Sequence, residues 1–477
     1  MNIMSRQLLH SEQKALEINL DNSIYGTFAE IGAGQEVARN FFQVGAAAGT
    51  IAKTMSAYDK SFSDAIYGEE ENKRYVCKSR LCKMLDHEYE LIQNRLTDTN
   101  QERRFFVFAD TVSAINYSKT IKGNGWLGIR FQTKANGPTN DLVLHAKMLD
   151  NDNQLQQEAI GVLGVNMLYA CFFYQDNIED FVISLLDGLK DRMKIDMISL
   201  TGPDFEDLDN RLLSLYLVKH RLTEVSVFDE NGESIHASEF LYKKHLMVVR
   251  GHFQPPTKVT LDVFKSGFEQ FCKEPDVDPE NARLITELTI HNLHKDEDVD
   301  IQDYLSRVEL LNALGHKVII SNCDNHQKLI NYLKDYKIKN LGLLIGLLEL
   351  KEIIEEKYYN NLEGSLLVSF GELFNKNINV YVYPVLTEEN KLVTAKTLIV
   401  PDGIHFLYKH LIDSKQIVEI DNYTRQNLGI FPHKVFNLIK NNKTGWETAL
   451  PEILVSRIKE KSLFGYQANK EEVTNEV

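Results

Sequence analysis

Paired cysteines, basic runs, long apolar stretches and low-complexity tracts are all missing from this chain, and each absence closes off a class of protein. The five cysteines, Cys77, Cys82, Cys171, Cys272 and Cys323, are odd in number, and none forms a Cys-x-x-Cys pair. With a polar Met1–Glu12 start that lacks the apolar core of a signal peptide, they predict a reducing, cytoplasmic setting. There is no His-Glu-x-x-His, no Cys/His ligand cluster and no Gly-x-Ser-x-Gly elbow, so neither a metal centre nor a serine hydrolase is expected. Basic runs are absent and the net charge is -15, which repels both nucleic-acid phosphates and anionic lipid. The most apolar stretch, Ala159–Leu189, is broken by Gln175, Asp176, Asn177, Glu179 and Asp180 before it reaches the roughly 20 residues a membrane span needs. It predicts two buried helices.

What is present is the pattern of a globular α/β protein. A chain of 477 residues is too long for one core, since cores stop growing near about 250–300 residues. Apolar runs of strand length alternate with helical periods along the whole chain, which predicts an α/β fold with largely parallel, doubly wound sheets in two or three domains. The expected domains are 1–190, 191–275 and 276–477, with a soft boundary at 275 that lets the last two be one. Expected strands include 24–31, 50–58, 193–200, 223–228, 246–250, 283–293, 317–321, 365–370, 377–385 and 396–400. A hairpin is expected across 126–149. Long helices are expected over 69–96, 205–220 (capped by Asp204) and 342–358. A homo-oligomer is the expected assembly.

Two loops carry candidate chemistry. The first is Ala29-Glu30-Ile31-Gly32-Ala33-Gly34-Gln35-Glu36, between an expected strand and an expected helix. Glycines there let a ligand approach the backbone, and the helix start offers free N–H donors. The segment resembles the first motif of methyltransferases that use S-adenosylmethionine, which implies Glu30, Gly32 and Gly34 as cofactor-binding residues, with Asp59 as the acidic partner. The following Gly45–Gly49 loop is not a P-loop, because Gly-Lys-Ser/Thr is not contiguous. Both loops also suit tight turns that pack a helix on a sheet.

The second loop is Gly251-His252-Phe253-Gln254-Pro255-Pro256-Thr257-Lys258-Val259-Thr260, again between strand and helix. It resembles the first motif of nicotinamide or nicotinate mononucleotide adenylyltransferases, Gly-Arg-Phe-Gln-Pro-Phe-His-x-Gly-His. Gly251, Phe253, Gln254 and Pro255 match; His252 and Pro256 replace the arginine and phenylalanine, and Thr257–Thr260 replace His-x-Gly-His. A bacterial protein family labelled as adenylyltransferases has N-terminal glycine segments similar to the first loop. The resemblance implies a nucleotide-binding protein using ATP and Mg²⁺. Gly251 and Gln254 would then bind the nucleotide, and His252, Thr257, Lys258 and Thr260 would act on its phosphates by positioning and charge neutralisation. The rival expectations are a non-catalytic subunit of a homo-oligomeric assembly and an adenosyl-cofactor transferase built on the first loop.

Overall fold

The structure, a computed structural model, describes residues 6–71, 73–96, 102–295, 298–355, 370–371, 373–374, 377–387 and 389–467. The chain divides into two compact units, Met1–Ser226 and Val227–Val477. The α/β class expected from the sequence is the class observed.

The first unit runs α1 (Ser11–Leu20), β1 (Ile24–Gly32), α2 (Glu36–Val44), β2 (Ile51–Ser56), α3 (Lys60–Tyr67), α4 (Lys78–Leu96), β3 (Arg104–Ser113), β4 (Asn124–Gln132), β5 (Thr139–Met148), α5 (Asn153–Phe173), α6 (Ile178–Ser184), β6 (Met193–Thr201) and α7 (Asn210–Lys219). Its six-stranded sheet has the order β2-β1-β3-β4-β5-β6. β1 is parallel to both β2 and β3, whereas β3 to β6 pair antiparallel. Side chains alternate across the pleat. Phe105, Val107 and Ala109 pack with Leu81, Met84 and Leu85 of α4, while Phe28 and Phe106 meet Phe41 of α2 and Phe172 of α5 on the other face. α5 is apolar nearly all round and buried along most of its length. Asp152 starts it by accepting the N–H groups of Gln154 and Leu155. α1 is pinned by a wholly buried Lys14, whose Nζ lies 2.7 Å from Asp187 and 2.8 Å from Asn166. Arg6 adds a two-pronged bond to the same Asp187 at 2.5 and 2.7 Å.

The second unit is built on an eight-stranded sheet that begins with β7 (Val225–Phe228), which crosses the boundary between the units. There follow β8 (Ser234–Ile235), α8 (Ala237–Leu241), β9 (His245–Arg250), α9 (Lys258–Phe271), β10 (Ala282–Thr289), the small pair β11 (His294–Lys295) and β12 (Asp298–Val299), α10 (Ile301–Ala313), β13 (Val318–Ser321), α11 (His326–Lys334), β14 (Asn340–Gly346) and α12 (Leu347–Ile354). β15 (Ile378–Tyr383), the small pair β16 (Val385–Leu386) and β17 (Leu392–Val393), α13 (His405–Asp413), β18 (Ile417–Glu419), α14 (Pro432–Lys440) and α15 (Glu452–Lys461) complete it. The order is β18-β15-β14-β9-β10-β13-β7-β8, parallel from β13 to β18. From β9 the chain therefore winds outward through β10 to β13, then returns to the other side of β9 and winds outward through β14, β15 and β18. This is the strand order of a Rossmann sheet, and its switch point lies between β9 and β14.

Several elements differ from expectation for local reasons. The helix expected over 69–96 forms only as α4, from Lys78 to Leu96; α3 lies before that range and ends at Gly68 (φ 80°), and the described residues between them are not helical. The helix expected from Phe205 starts at Asn210, capped by Asp209; Asp204 instead accepts bonds from Thr133 and Asn140. Residues 342–346 of the expected helix 342–358 belong to strand β14, and among the described residues of that span Leu347–Ile354 is helical. A short run that is apolar on every side fits a fully buried strand as well as a helix. No strand forms over 396–400. The strand expected over 365–370 falls, up to residue 369, outside the described residues, as does 356–358. β6 pairs with β5, which puts residues 191–226 with the first unit, and β9 and β10 pair across residue 275.

Candidate functional site

The Gly251–Thr260 loop lies at the switch point of the second sheet, where open α/β sheets bind ligands. β9 ends at Arg250, and the loop leads straight into α9. A cavity of about 530 Å³ opens there. Its walls come from the loop (Gly251, His252, Gln254), the first turns of α9 (Val259, Thr260, Val263), the end of β14 (Leu344–Gly346), and Pro432 and His433 at the start of α14. The loop is held tightly. Phe253 is buried at φ 49°, a left-handed conformation costly for a bulky side chain, and its ring packs on Phe264 of α9. A Cβ on Gly251 would come within 3.0 Å of the Phe253 ring. Gln254 donates to Asp303 at 2.5 Å, which ties the loop to α10.

The groups expected to act on phosphates are not brought together. Thr257 is wholly buried at the N-cap of α9, and Thr260 Oγ1 accepts the Thr257 N–H at 3.1 Å. Their pairing is a helix cap. Thr260 still lines the cavity; Thr257 does not. Lys258 is exposed, is not among the cavity's lining residues, and donates to the backbone carbonyl of Thr448 at 2.7 Å. His252 sits at the rim, its imidazole pushed below the ordinary histidine value by its surroundings and by the Arg307 charge, so it is neutral at pH 7. Arg250 is the cation nearest the strand ends, but Glu287 of β10 takes it at 2.5 and 3.0 Å and the Cys323 carbonyl at 3.1 Å. Burial opposes the guanidinium charge, and the Glu287 carboxylate outweighs it. Ser321 of β13 donates to the same carboxylate, closing a network over three strand ends. Sequence reasoning missed Glu287 and His433; neither belongs to a motif, and His433 reaches the cavity from far along the chain.

The first glycine turn lines a separate cavity, of about 590 Å³, within the first unit. Gly32, Ala33 and Gln35 contribute to its wall, with Tyr58, Tyr75 and Tyr117. Gly32 (φ 80°) leaves no room for a side chain, because a Cβ would stand 2.1 Å from the Val112 carbonyl oxygen. Glu30 and Asp59 are not among the lining residues. Asp59 caps α3 by accepting the Phe62 N–H at 2.8 Å. Glu30 is buried and accepts the Ala38 N–H of α2 at 3.3 Å, with the Val37 amide also directed at it, so the protein's own carboxylate occupies that helix start. Beside it in parallel register is Asp110 of β3, fully buried, with neither side-chain oxygen in a well-formed hydrogen bond and only the Ile31 amide directed at it. A Cβ on Gly34 would stand 2.0 and 2.2 Å from the two Asp110 oxygens, so the turn rests directly on this carboxyl. Burial raises Glu30 to about 7, despite the α2 amides; burial and the Glu30 charge raise Asp110 well above the ordinary carboxylate value.

No family model matches the chain, and no curated protein does. Among solved structures it is similar to the competence/damage inducible protein CihA from Agrobacterium tumefaciens (17% identity, 35% of this chain, 98% of that chain, TM-score 0.25). It is also similar to a competence-damaged protein (CinA) superfamily protein from Enterobacter cloacae (13% identity, 36% of this chain, 97% of that chain, TM-score 0.27). A competence or damage-inducible protein from Enterobacter asburiae matches at 12% identity over 34% of this chain and 95% of that chain, with TM-score 0.26. Scores this low add nothing to the geometry of either cavity.

Proposed function

We propose that the second unit binds a nucleoside or mononucleotide at the switch-point cavity and holds it without transferring an adenylyl group. The observation that carries this reading is the position of the Gly251–Thr260 loop: it bridges β9 and α9 beside the end of β14, with a cavity of about 530 Å³ between them. The walls suit a flat base and a ribose. Val249, Phe253, Val259, Val263, Phe264 and Leu344 are apolar, and Thr260 and Gln254 offer polar atoms.

ATP with Mg²⁺, implied by the resemblance to mononucleotide adenylyltransferases, fits the residues poorly. A triphosphate in transfer needs preorganised positive charge. Here Lys258 is engaged by Thr448, Arg250 is neutralised by Glu287, and His252 is neutral.

Calorimetric titration of the full chain with adenosine, AMP, ATP and nicotinamide mononucleotide tests the reading. At least one should bind, ATP should bind within about tenfold of AMP, a 1.4 kcal/mol window, and Val259→Trp should abolish binding by filling the cavity. Failure of every ligand to bind, or pyrophosphate release from ATP and a mononucleotide, would refute it.

A further inference from the structure

The nucleotide reading leaves the strongest electrostatic feature of the first unit without a role. Glu30 and Asp110 stand side by side at the ends of β1 and β3, on the sheet face that α2 covers. They are 2% and 0% exposed. Among the described residues no cation bears on Asp110; the charges acting on the pair are each other's and that of Glu36 on α2, which is itself paired with Arg39 at 3.0 Å. Two like charges so placed repel strongly, because the interior screens them far less than water does. The two environments differ. Glu30 receives two amides from the start of α2, which favour its carboxylate; Asp110 is more deeply buried, has only the Ile31 amide directed at it, and has the Gly34 backbone pressed on its oxygens. A proton therefore belongs on Asp110. The carboxyl that holds it is also the floor of the turn: Gly32, Ala33 and Gln35 line the cavity above, and Gly34 rests on Asp110.

We propose that Glu30 and Asp110 form a proton-operated latch on the glycine turn of the first unit. With a proton on Asp110, the turn closes onto the strand ends and α2 starts over Glu30. When Asp110 gives its proton to water, two adjacent carboxylates remain under a backbone with no countercharge. The Gly32–Gln35 turn and the first turn of α2 then lift to admit water, and the cavity they line changes shape. The latch does not depend on ligand binding in the second unit.

Two measurements on the full chain test this. The infrared spectrum at about pH 7 should contain carbonyl bands of protonated carboxylic acids, and Asp110→Asn should remove the Asp110 band, leaving only that of the partly protonated Glu30. Hydrogen exchange at Ala33–Ala38, corrected for the intrinsic rate, should lose protection as pH rises from about 7 to about 9. The limiting slope is about tenfold per pH unit, that of a single linked proton, and the loss should be absent in Asp110→Asn, which mimics the protonated form. If that variant fails to fold, Glu30→Gln serves: removing the neighbouring charge should move the loss of protection to higher pH. Absence of the Asp110 band, or protection that does not change with pH in the unmutated chain, overturns the proposal.

Discussion

At the residue scale, the two glycine turns differ in what a methyl group would meet. At Gly34 an added Cβ would land 2.0 Å from a buried carboxyl oxygen that cannot move into solvent. Gly34→Ala should destabilise the first unit by about 3 kcal/mol or more, the upper end of overpacking costs, as read from urea unfolding. At Gly251 the contact is 3.0 Å, with a ring edge rather than a carboxyl group, and the same change should cost about 1 kcal/mol. The Glu30–Asp110 pair also gives stability a pH dependence of definite sign. Folded, these carboxyls keep protons that the unfolded chain releases above about pH 4. The folded state thus binds more protons, and stability falls as pH rises from there; the Glu30 contribution levels off above about 7, and the Asp110 contribution continues higher. Urea midpoints across this range should decline in the unmutated chain and decline less in Asp110→Asn.

At the element scale, α1 owes its position to a buried ion pair. Asp187→Ala leaves the wholly buried Lys14 and the mostly buried Arg6 without their carboxylate, and should cost about 3–5 kcal/mol in urea unfolding. Replacing Lys14 and Asp187 together by Met and Leu should cost less than Asp187→Ala alone. Elements of this kind show how far the sequence could be read. β1, α2 and β2 were legible because a strand, a glycine turn and a helix follow one another within a short stretch. So was the setting of the Gly251 loop, whose strand and helix are both local. β14 was not, because Leu341–Ile345 is apolar on every side and its strand state is set by β9 and β15 flanking it. The start of α7 was not, because the choice between Asp204 and Asp209 as cap is made by Thr133, just past the end of β4, and Asn140 of β5. The true position of Lys258 was equally hidden: its partner, Thr448, is 190 residues away. Thr257 and Thr260 looked like phosphate donors in a motif and are a helix cap, a use of the same side chains that spacing alone does not distinguish.

At the scale of the whole molecule, the proposed nucleoside site and the proposed latch fall in different units, and each should respond to its own stimulus. Calorimetry with a bound nucleoside at about a hundred times its Kd should stabilise the second unit by about 2.7 kcal/mol and leave the first unchanged. A shift from about pH 6 to about pH 8 should lower the stability of the first unit more than that of the second. If domain-resolved exchange showed both units answering nucleoside alike, ligand binding would not be confined to the switch-point cavity.

The brace on α9 has a consequence for how the protein is made. Asp262 on this helix is held by Thr424, 162 residues later, at 2.7 Å, Gln270 by the Glu419 carbonyl, 149 residues later, and Lys258 by Thr448. A ribosome adding about 5–20 residues per second emits the loop and its helix many seconds before the segment that secures them. Early in that interval the nascent sheet also lacks β14, which forms the other side of its switch point, and β15 and β18 follow later. The second unit therefore completes its candidate site only once Pro432 and His433 have been made, and a polypeptide cut short before residue 419 would display the loop without that wall of its cavity and without the residues that brace α9.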